Sequence, residues 1–362
     1  MITYDNEIKV LLVSPVPPPA GGDSTWARKY IDYCNELGLP LFHVNTSMIG
    51  KRSISTSDTI LLWDEIKRCF RIWNNISRIL KSEKIDVCHF NCNCSPRGMV
   101  RDLISIKKIA RKKIKIVLHC RCNVKDQVSK SPNGLSLFIK LAKKSNVIFV
   151  QNKESYEFVK SLTKTNVMIM PNFIEDDLVA TNKVIKQSLN SIVYIGHIRK
   201  TKGIDEIVEV SKKYPSYKFI LVGPVTEDYT NNYFSQFKNI VLVGDQPHER
   251  IIDYLDDADL FLFPTYTEGF SNSLLEAMAR GVPVVTTNVG ANEDMLENVG
   301  GYLVNPKDVE DLCNKIKDIE SYETRLFMSS WNIRKVKENY ALQTVFNKIR
   351  NIYRCLVNED DN

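Results

Sequence analysis

Short apolar segments rich in β-branched residues alternate with longer amphipathic segments along the first 150 residues of the chain. The short segments predict strands, and the amphipathic ones, with apolar residues three and four positions apart, predict helices. The predicted strands are 9–14, 41–45, 85–91, 115–119 and 146–151, and the predicted helices are 27–37, 61–82, 98–112 and 135–144. Strands and helices that alternate in this way form a parallel sheet covered on both faces. The pattern therefore predicts an α/β doubly wound domain.

The alternation is interrupted at residues 170–177, where a proline is followed by a run of acidic residues. It then resumes, with predicted strands at 191–196, 218–223, 239–244, 260–264, 282–287 and 301–304, and the segment 329–357 has a helical pattern. We therefore predict one Rossmann-like domain over residues 1–172, a second over 173–330, and a C-terminal helix over 331–362 that packs back on the first. Ligands of such sheets bind beyond the carboxyl ends of the strands. Two such domains facing each other would enclose a cleft at those ends.

Composition agrees with two ordinary globular domains. The chain has 362 residues, of which 43% are hydrophobic and 25% charged. Its N-terminus lacks the basic start and long apolar core of a signal peptide, and no apolar run reaches the length of a membrane span. We therefore expect a cytoplasmic protein.

Charge is distributed unevenly. Residues 1–170 contain 28 Lys and Arg against 14 Asp and Glu, whereas the rest of the chain contains 21 against 29. The densest basic run, 107–115, is interleaved with isoleucines. This pattern is typical either of a solvated surface helix that packs on a sheet or of an amphipathic helix that touches an anionic membrane, here the inner membrane face. The two interpretations stay open.

Nine cysteines in a chain without an export signal indicate reduced thiols. Five of them cluster, with two histidines beside them, at Cys88, Cys92, Cys94, Cys120 and Cys122. A zinc site is conceivable, but their C-x-C spacing differs from the C-x2-C of zinc knuckles. We expect no metal here.

The segment 264–283 carries the most informative pattern. A predicted strand ends at Pro264, and Ser271, Asn272 or Ser273 can cap a helix that runs through Ala279. The first N–H groups of such a helix form an anion site suited to a diphosphate. Glu268 would lie in the preceding loop and Glu276 inside the helix, where they are better placed to accept hydrogen bonds from hydroxyls than to face phosphate.

This segment resembles the E-x7-E signature of family 4 of the retaining glycosyltransferases, which have the two-domain GT-B fold. The resemblance implies a donor-binding C-terminal domain and an acceptor-binding N-terminal domain. It also implies that Glu276 binds the ribose hydroxyls and that Glu268 lies against the donor sugar. The backbone of Phe270, Ser271 and Asn272 would then contact the phosphates.

Residues 196–203 resemble the family's G-R-x4-K-G loop, in which Arg and Lys neutralise the leaving nucleoside diphosphate. Gly196 and Lys202 match this loop, but His197 occupies the arginine position. Either Arg199 supplies the missing charge or His197 binds phosphate when protonated. A charged turn without this function is the alternative.

The N-terminal half contains weaker matches. Gly21 and Gly22 correspond to a glycine pair whose backbone approaches the donor diphosphate and the acceptor. His119, at a predicted strand end, matches a histidine that the family often carries facing the cleft, where it would touch the donor sugar or the acceptor. A histidine in a hydrogen-bonded turn is the alternative. Asp257 and Asp259 have the D-x-D spacing of metal-dependent transferases of another fold, but they precede a buried strand here, so we assign them no metal.

The resemblance implies a nucleotide-sugar-dependent hexosyltransferase of the retaining kind, with Lys202, Arg199, Glu268 and His119 as catalytic residues. We expect no cofactor or metal requirement and no nucleic-acid partner. The expected partners are the nucleotide-sugar donor, a glycan or lipid-linked acceptor of bacterial-type surface polysaccharide synthesis, and an anionic membrane surface. Two alternatives remain: a non-catalytic GT-B-like binding subunit, favoured by His197 and by Ala291, where the family usually has glycine, and a nucleotide-sugar epimerase.

Overall fold

The computed structural model describes residues 8–18, 21–48, 62–110 and 112–358. Within these ranges the chain forms two compact units. The first comprises residues up to Pro171 together with those from Phe346 onward, and the second comprises Asn172–Val345. Arg111 of the basic run, Leu61 of the second predicted helix and the first seven residues lie outside the described ranges.

The first unit contains a six-stranded parallel sheet with helices between consecutive strands. Its strands, in the order β2-β1-β3-β4-β5-β6, are β1 (Val10–Ser14), β2 (Leu41–Asn45), β3 (Val87–Cys92), β4 (Lys115–Cys120), β5 (Val147–Val150) and β6 (Asn166–Ile169). Its helices are α1 (Gly22–Glu36), α2 (Leu62–Ser82), α3 (Pro96–Ala110), α4 (Val124–Ser129), α5 (Gly134–Ala142) and α6 (Lys153–Leu162). Every residue of β1, β3 and β5 is buried, as in parallel sheets covered on both faces.

The second unit repeats this plan. Its strands, in the order β12-β11-β10-β7-β8-β9, are β7 (Ser191–Ile195), β8 (Lys218–Val222), β9 (Ile240–Gly244), β10 (Leu260–Phe263), β11 (Val284–Thr287) and β12 (Gly301–Val304). Its helices are α7 (Ile204–Lys213), α8 (Asn231–Phe234), α9 (His248–Asp257), α10 (Asn272–Ala279), α11 (Asn292–Leu296), α12 (Val309–Asp318) and α13 (Tyr322–Asn339). The α/β doubly wound class predicted from the sequence is therefore confirmed for both units. Each contains a Rossmann-like parallel sheet.

The C-terminal segment differs from the single helix predicted over 331–362. Helix α13 ends at Asn339, and a separate helix, α14 (Leu342–Asn358), follows it. The backbone between them pairs with Ile174, whose N–H donates to Tyr340 O at 3.0 Å and whose carbonyl accepts from Leu342 N at 2.8 Å. These bonds replace helical ones, and neither proline nor glycine marks the break. Residues of α14 from Phe346 onward belong to the first unit.

No helix in the described ranges combines the length and the apolar character that crossing a bilayer requires.

Candidate functional site

Helix α10 begins directly after a sharp loop at the carboxyl end of β10. Ser271 caps it, with its hydroxyl accepting a hydrogen bond from Leu274 N at 3.3 Å. The preceding residue, Phe270, is buried and its ring contacts Tyr340 with centroids 5.8 Å apart. The Asn272 side chain is held by Asn172, which donates to its amide oxygen at 2.7 Å. The helix start predicted from the sequence is therefore fixed by side chains of the second unit, and its first N–H groups have no acceptor within the helix.

Lys202 and Glu268 form the central charged pair of the second unit. The Lys202 ammonium bonds to Glu268 Oε1, and the two side chains are only 14% and 12% exposed. Thr265 Oγ1 donates to the same carboxylate oxygen at 3.1 Å. The ammonium also lies 5.4 Å from the Phe263 ring centroid. The two predicted site residues are thus brought into direct contact by the ends of two different strands.

Glu276 has a different partner. From within α10 its Oε1 lies 3.1 Å from Nε2 of His248, the first residue of α9. Glu276 is mostly buried, whereas the His248 side chain is 41% exposed. Sequence reasoning missed His248, because it lies 28 positions from Glu276 and no local motif marks it. The two glutamates therefore have different partners: Glu268 pairs with an ammonium group and Glu276 with an imidazole.

Tight backbone packing places Lys202. It ends a 3-10 turn, Lys200–Lys202, and the next residue, Gly203, has φ 76°. A Cβ on Gly203 would lie 2.1 Å from Pro264 O. Tyr266 N donates to Thr201 O at 3.0 Å, so the loop after β10 is bonded to the turn that carries the lysine. Only glycine permits this approach at a positive φ.

A second close approach positions Glu268. Gly290, at φ 58°, lies so near that a Cβ would stand 2.3 Å from Glu268 O. Ala291, the residue after Gly290, is buried at the start of α11. The two glycines, Gly203 and Gly290, therefore hold the loops that carry the lysine and the glutamate.

His197 lies at the end of β7, next to Gly196, which has φ 151°. Its carbonyl accepts a hydrogen bond from Tyr194 Oη at 2.8 Å. Burial, and then the positive charges of Arg199 and Lys202, lower the pKa of the imidazole. His197 is consequently neutral at neutral pH, whereas Arg199 is exposed and carries a permanent charge. Of the two residues proposed to replace the family arginine, Arg199 brings the charge.

In the first unit, Gly21 caps α1 and Gly22 is its first residue, five positions before the predicted start at Ala27. The helix begins early because Thr25 N already donates to Gly21 O at 2.9 Å. A Cβ on Gly21 would meet nothing closer than Ser24 Oγ at 3.8 Å. The packing of this unit therefore gives no reason for glycine at position 21, and its predicted contact with donor or acceptor stays a prediction.

His119 lies in a buried polar cluster of the first unit. His119 Nδ1 is 3.1 Å from His89 Nε2, and His89 Nδ1 is 2.5 Å from Tyr353 Oη. Burial and the Arg121 charge lower the pKa of both histidines, that of His89 to about 3. The Arg121 guanidinium lies 4.7 Å from the Trp26 ring centroid. His119 has no exposed surface, so a contact with a substrate would require its neighbours to move.

Two sets of residues considered for metal binding have other environments. Asp259 is buried, and its Oδ2 accepts hydrogen bonds from Asn190 N at 3.0 Å and Ser191 N at 2.9 Å, which anchors the start of β7. Cys92, Cys94 and Cys120 are buried thiols. Hydrogen bonds with neighbouring thiols, Cys120 first, raise the pKa of Cys94. The hydrogen bond with Cys94 lowers the pKa of Cys120, but burial outweighs it and the pKa is raised. Among the residues that the structure describes, no group of three or more His, Cys, Asp or Glu has an arrangement that could hold a metal ion.

The part of the chain that matches a known family lies in the second unit. Residues 180–335 match the family described as Glycosyl transferases group 1. The capsular polysaccharide biosynthesis glycosyltransferase CapM of Staphylococcus aureus is 31% identical over 182 residues, which are 47% of this chain and 47% of CapM. The chain spans about half the length of the curated relatives it matches most strongly.

Solved structures are similar over nearly the whole chain. A sucrose-phosphate synthase from Thermosynechococcus elongatus has a TM-score of 0.76 at 16% identity, covering 97% of this chain and 99% of its own. HepE from Anabaena, solved in complex with UDP and glucose, has a TM-score of 0.69 at 14% identity, covering 96% and 100%. These similarities confirm the predicted GT-B fold with two Rossmann-like domains. The residues Lys202, Glu268 and Glu276 all lie in the segment 180–335, which is similar to the glycosyl transferases group 1.

Proposed function

We propose that this protein is a retaining glycosyltransferase of the family 4 kind, which transfers a hexose from a nucleotide-sugar donor to an acceptor. The observation that carries the proposal is the mostly buried Lys202–Glu268 pair in the unit that also presents the capped start of α10. A cation, a hydroxyl-binding carboxylate and helix N–H groups are the features that a sugar diphosphate requires. HepE, of the same fold, was solved with UDP and glucose.

In the proposed mechanism, the departing nucleoside diphosphate gathers negative charge that Lys202 neutralises. Stabilising such charge is usually the largest catalytic contribution. In the structure, Glu268 is the partner of Lys202. A bound phosphate replaces Glu268 as that partner, and the carboxylate then accepts hydrogen bonds from sugar hydroxyls. Arg199 and the amides near Phe270 add to the neutralisation. Retention rests on the E-x7-E resemblance, and we assign no general base.

Glu276 binds the ribose hydroxyls in this proposal. Its carboxylate is mostly buried and already hydrogen-bonded by His248, which fixes its position before a donor arrives. In this proposal the backbone of Gly21 and Gly22 approaches the donor diphosphate and the acceptor, and His119 touches the donor sugar or the acceptor. Because Lys202, Arg199 and helix amides supply positive potential, we expect turnover to persist in EDTA.

For the acceptor, we propose a lipid-linked saccharide of surface polysaccharide synthesis. CapM is named for capsular polysaccharide biosynthesis. The first 170 residues have 28 basic residues against 14 acidic ones, which favours an anionic surface. A protein that acts there is peripheral to the inner membrane face.

The test is nucleotide release from a panel of UDP-, GDP- and ADP-sugars, with and without membrane extract. We expect release from one donor, and its loss in Lys202→Ala and Glu276→Ala. Lys212→Ala is the matched control, because this exposed lysine lies on α7, where it pairs with Glu209 and its ammonium lies 5.7 Å from the Phe237 ring centroid. Release from none of the donors would indicate a binding subunit. An altered sugar without release would indicate an epimerase.

A further inference from the structure

Helix α2 exposes a row of large apolar side chains. Trp63, Ile66 and Phe70 are 73%, 36% and 57% exposed. They are spaced three and four positions apart, so they lie on one face of the helix. The buried face of the same helix carries Ile72, Ile76 and Leu80, which pack in the core of the first unit. Helix α2 is therefore apolar on two sides, only one of which is covered by its own unit.

Helix α3 extends this apolar surface. Val100 and Ile104, four positions apart, are each 44% exposed. The two helices are neighbours, because Trp73 Nε1 donates to Arg101 O at 3.4 Å and Lys108 Nζ donates to Ser77 Oγ at 2.5 Å. We refer to the exposed residues Trp63, Ile66, Phe70, Val100 and Ile104 as the α2–α3 face.

The charge around the α2–α3 face is positive. Helix α2 contains five basic and two acidic residues, and α3 contains four basic and one acidic. Two of the three carboxylates are engaged by arginines, Glu65 with Arg68 and Asp102 with Arg101. Lys67, Arg97 and Lys107 are exposed on the same helices. A surface with both apolar and basic groups attracts a partner that offers anionic groups above an apolar interior.

We propose that the α2–α3 face docks the protein on an anionic lipid bilayer, with Trp63 and Phe70 entering the boundary between headgroups and acyl chains. Aromatic side chains prefer this boundary, and lysines beside it reach the headgroups while their stems cover apolar surface. Insertion of apolar side chains and attraction of basic side chains to anionic headgroups are each weak. Together they give stable but reversible binding. The choice of a membrane rests on the proposed lipid-linked acceptor, but docking itself requires neither donor nor turnover.

The test is flotation of the full chain with vesicles of phosphatidylcholine alone or with phosphatidylglycerol added. We expect binding only to the anionic vesicles, weakened roughly tenfold or more by the double change Trp63→Ala with Phe70→Ala. We expect a similar loss for Lys67→Gln with Lys107→Gln, since each basic group near the surface contributes independently. The matched control is Phe327→Ala, because Phe327 is 60% exposed on α13 of the second unit.

Trp63 fluorescence gives a readout that a folding defect cannot imitate. The difference in emission between the wild type and Trp63→Phe should shift to the blue when anionic vesicles are added. Equal flotation of the double variant and the wild type would overturn the proposal, as would an unshifted difference spectrum. A dimer in vesicle-free solution that the double variant abolishes would also overturn it, because the face would then join two copies. Nucleotide release is measured separately, so failure of docking and failure of the proposed activity are distinguishable.

Discussion

Lys202 and Glu268 are bonded to each other in the second unit, and Thr265 Oγ1 donates to the same oxygen of the carboxylate. The two residues come from loops that follow different strands, β7 and β10. The pair keeps a cation in a mostly buried position, and in the proposed mechanism this cation exchanges Glu268 for phosphate.

Replacing Lys202 with alanine should lower kcat by about 100-fold, because the charge of the leaving diphosphate loses its main cation. Donor KM should change less. The measurement is steady-state nucleotide release under saturating donor, and Lys202→Arg, which keeps the charge but alters its placement, should retain part of the rate. Lys212→Ala serves as control. A Lys202→Ala variant with wild-type kcat would remove the lysine from the mechanism.

Changing His248 to alanine should raise donor KM roughly threefold with little effect on kcat, since Glu276 loses the hydrogen bond that fixes it. His248→Gln, which keeps a donor group, should recover most of the affinity. Initial rates over a range of donor concentrations separate the two constants. A loss confined to kcat would show that His248 acts in the chemical step instead.

The Gly203→Ala variant should be less stable and less active than the wild type. Two effects add there: a positive φ, which costs a non-glycine residue about 1 kcal/mol, and a Cβ only 2.1 Å from Pro264 O. Gly244→Ala is a matched control, because Gly244 has φ 83° but no atom within 4 Å of a Cβ. The difference between the melting temperatures of the two variants separates the effect of the clash from that of the positive φ. Equal losses would mean that the contact with Pro264 relaxes easily.

His197→Arg should raise kcat/KM at neutral pH roughly fivefold, because a permanent charge replaces a neutral imidazole beside the phosphate site. The pKa of His197 is lowered, so the wild-type histidine gains charge only as the pH falls below the ordinary histidine value of about 6.5. In the variant, kcat/KM should therefore not gain from protonation of residue 197 as the pH falls. The pH profile of kcat/KM tests this, and an unchanged neutral rate would argue that Arg199 alone is sufficient.

Acid should destabilise the first unit through His89. The folded-state pKa is about 3, against about 6.5 in the unfolded chain, so the unfolded state takes up the proton first as the pH falls. The contribution of His89 to the free energy of unfolding is complete above about pH 6.5. Below that pH it falls by about 1.4 kcal/mol per pH unit. Urea unfolding at several pH values measures the slope. His89→Gln should reduce the slope.

Most strands were predictable because a buried parallel strand is a continuous apolar run. The β2 and β12 bounds agree with the prediction, whereas β6 was missed. β6 is four residues long, begins with the exposed Asn166 and contains only one fully buried residue, Val167, so its pattern is weak. Helix α6 was missed as well, although Asn152 caps it through Ser155 N.

The site was predictable where the motif is local. The positions of Ser271, Glu268 and Lys202 followed from one strand-loop-helix segment and one turn. His248 was not predictable, because its partner is fixed only when α9 packs beside α10. The burial of His119 was not predictable either. Its neighbour His89 is hydrogen-bonded to Tyr353, which lies 264 positions from His89 in the sequence.

The assignment of the end of α14 to the first unit has a consequence for biosynthesis. The second unit is one continuous stretch, Asn172–Val345, and can complete its fold as soon as that stretch leaves the ribosome. The first unit is synthesised earlier but lacks Phe346 and Tyr353, which pack against Tyr30 and His89. The first unit therefore becomes complete only after the second has been synthesised, and until then its buried His89 lacks Tyr353.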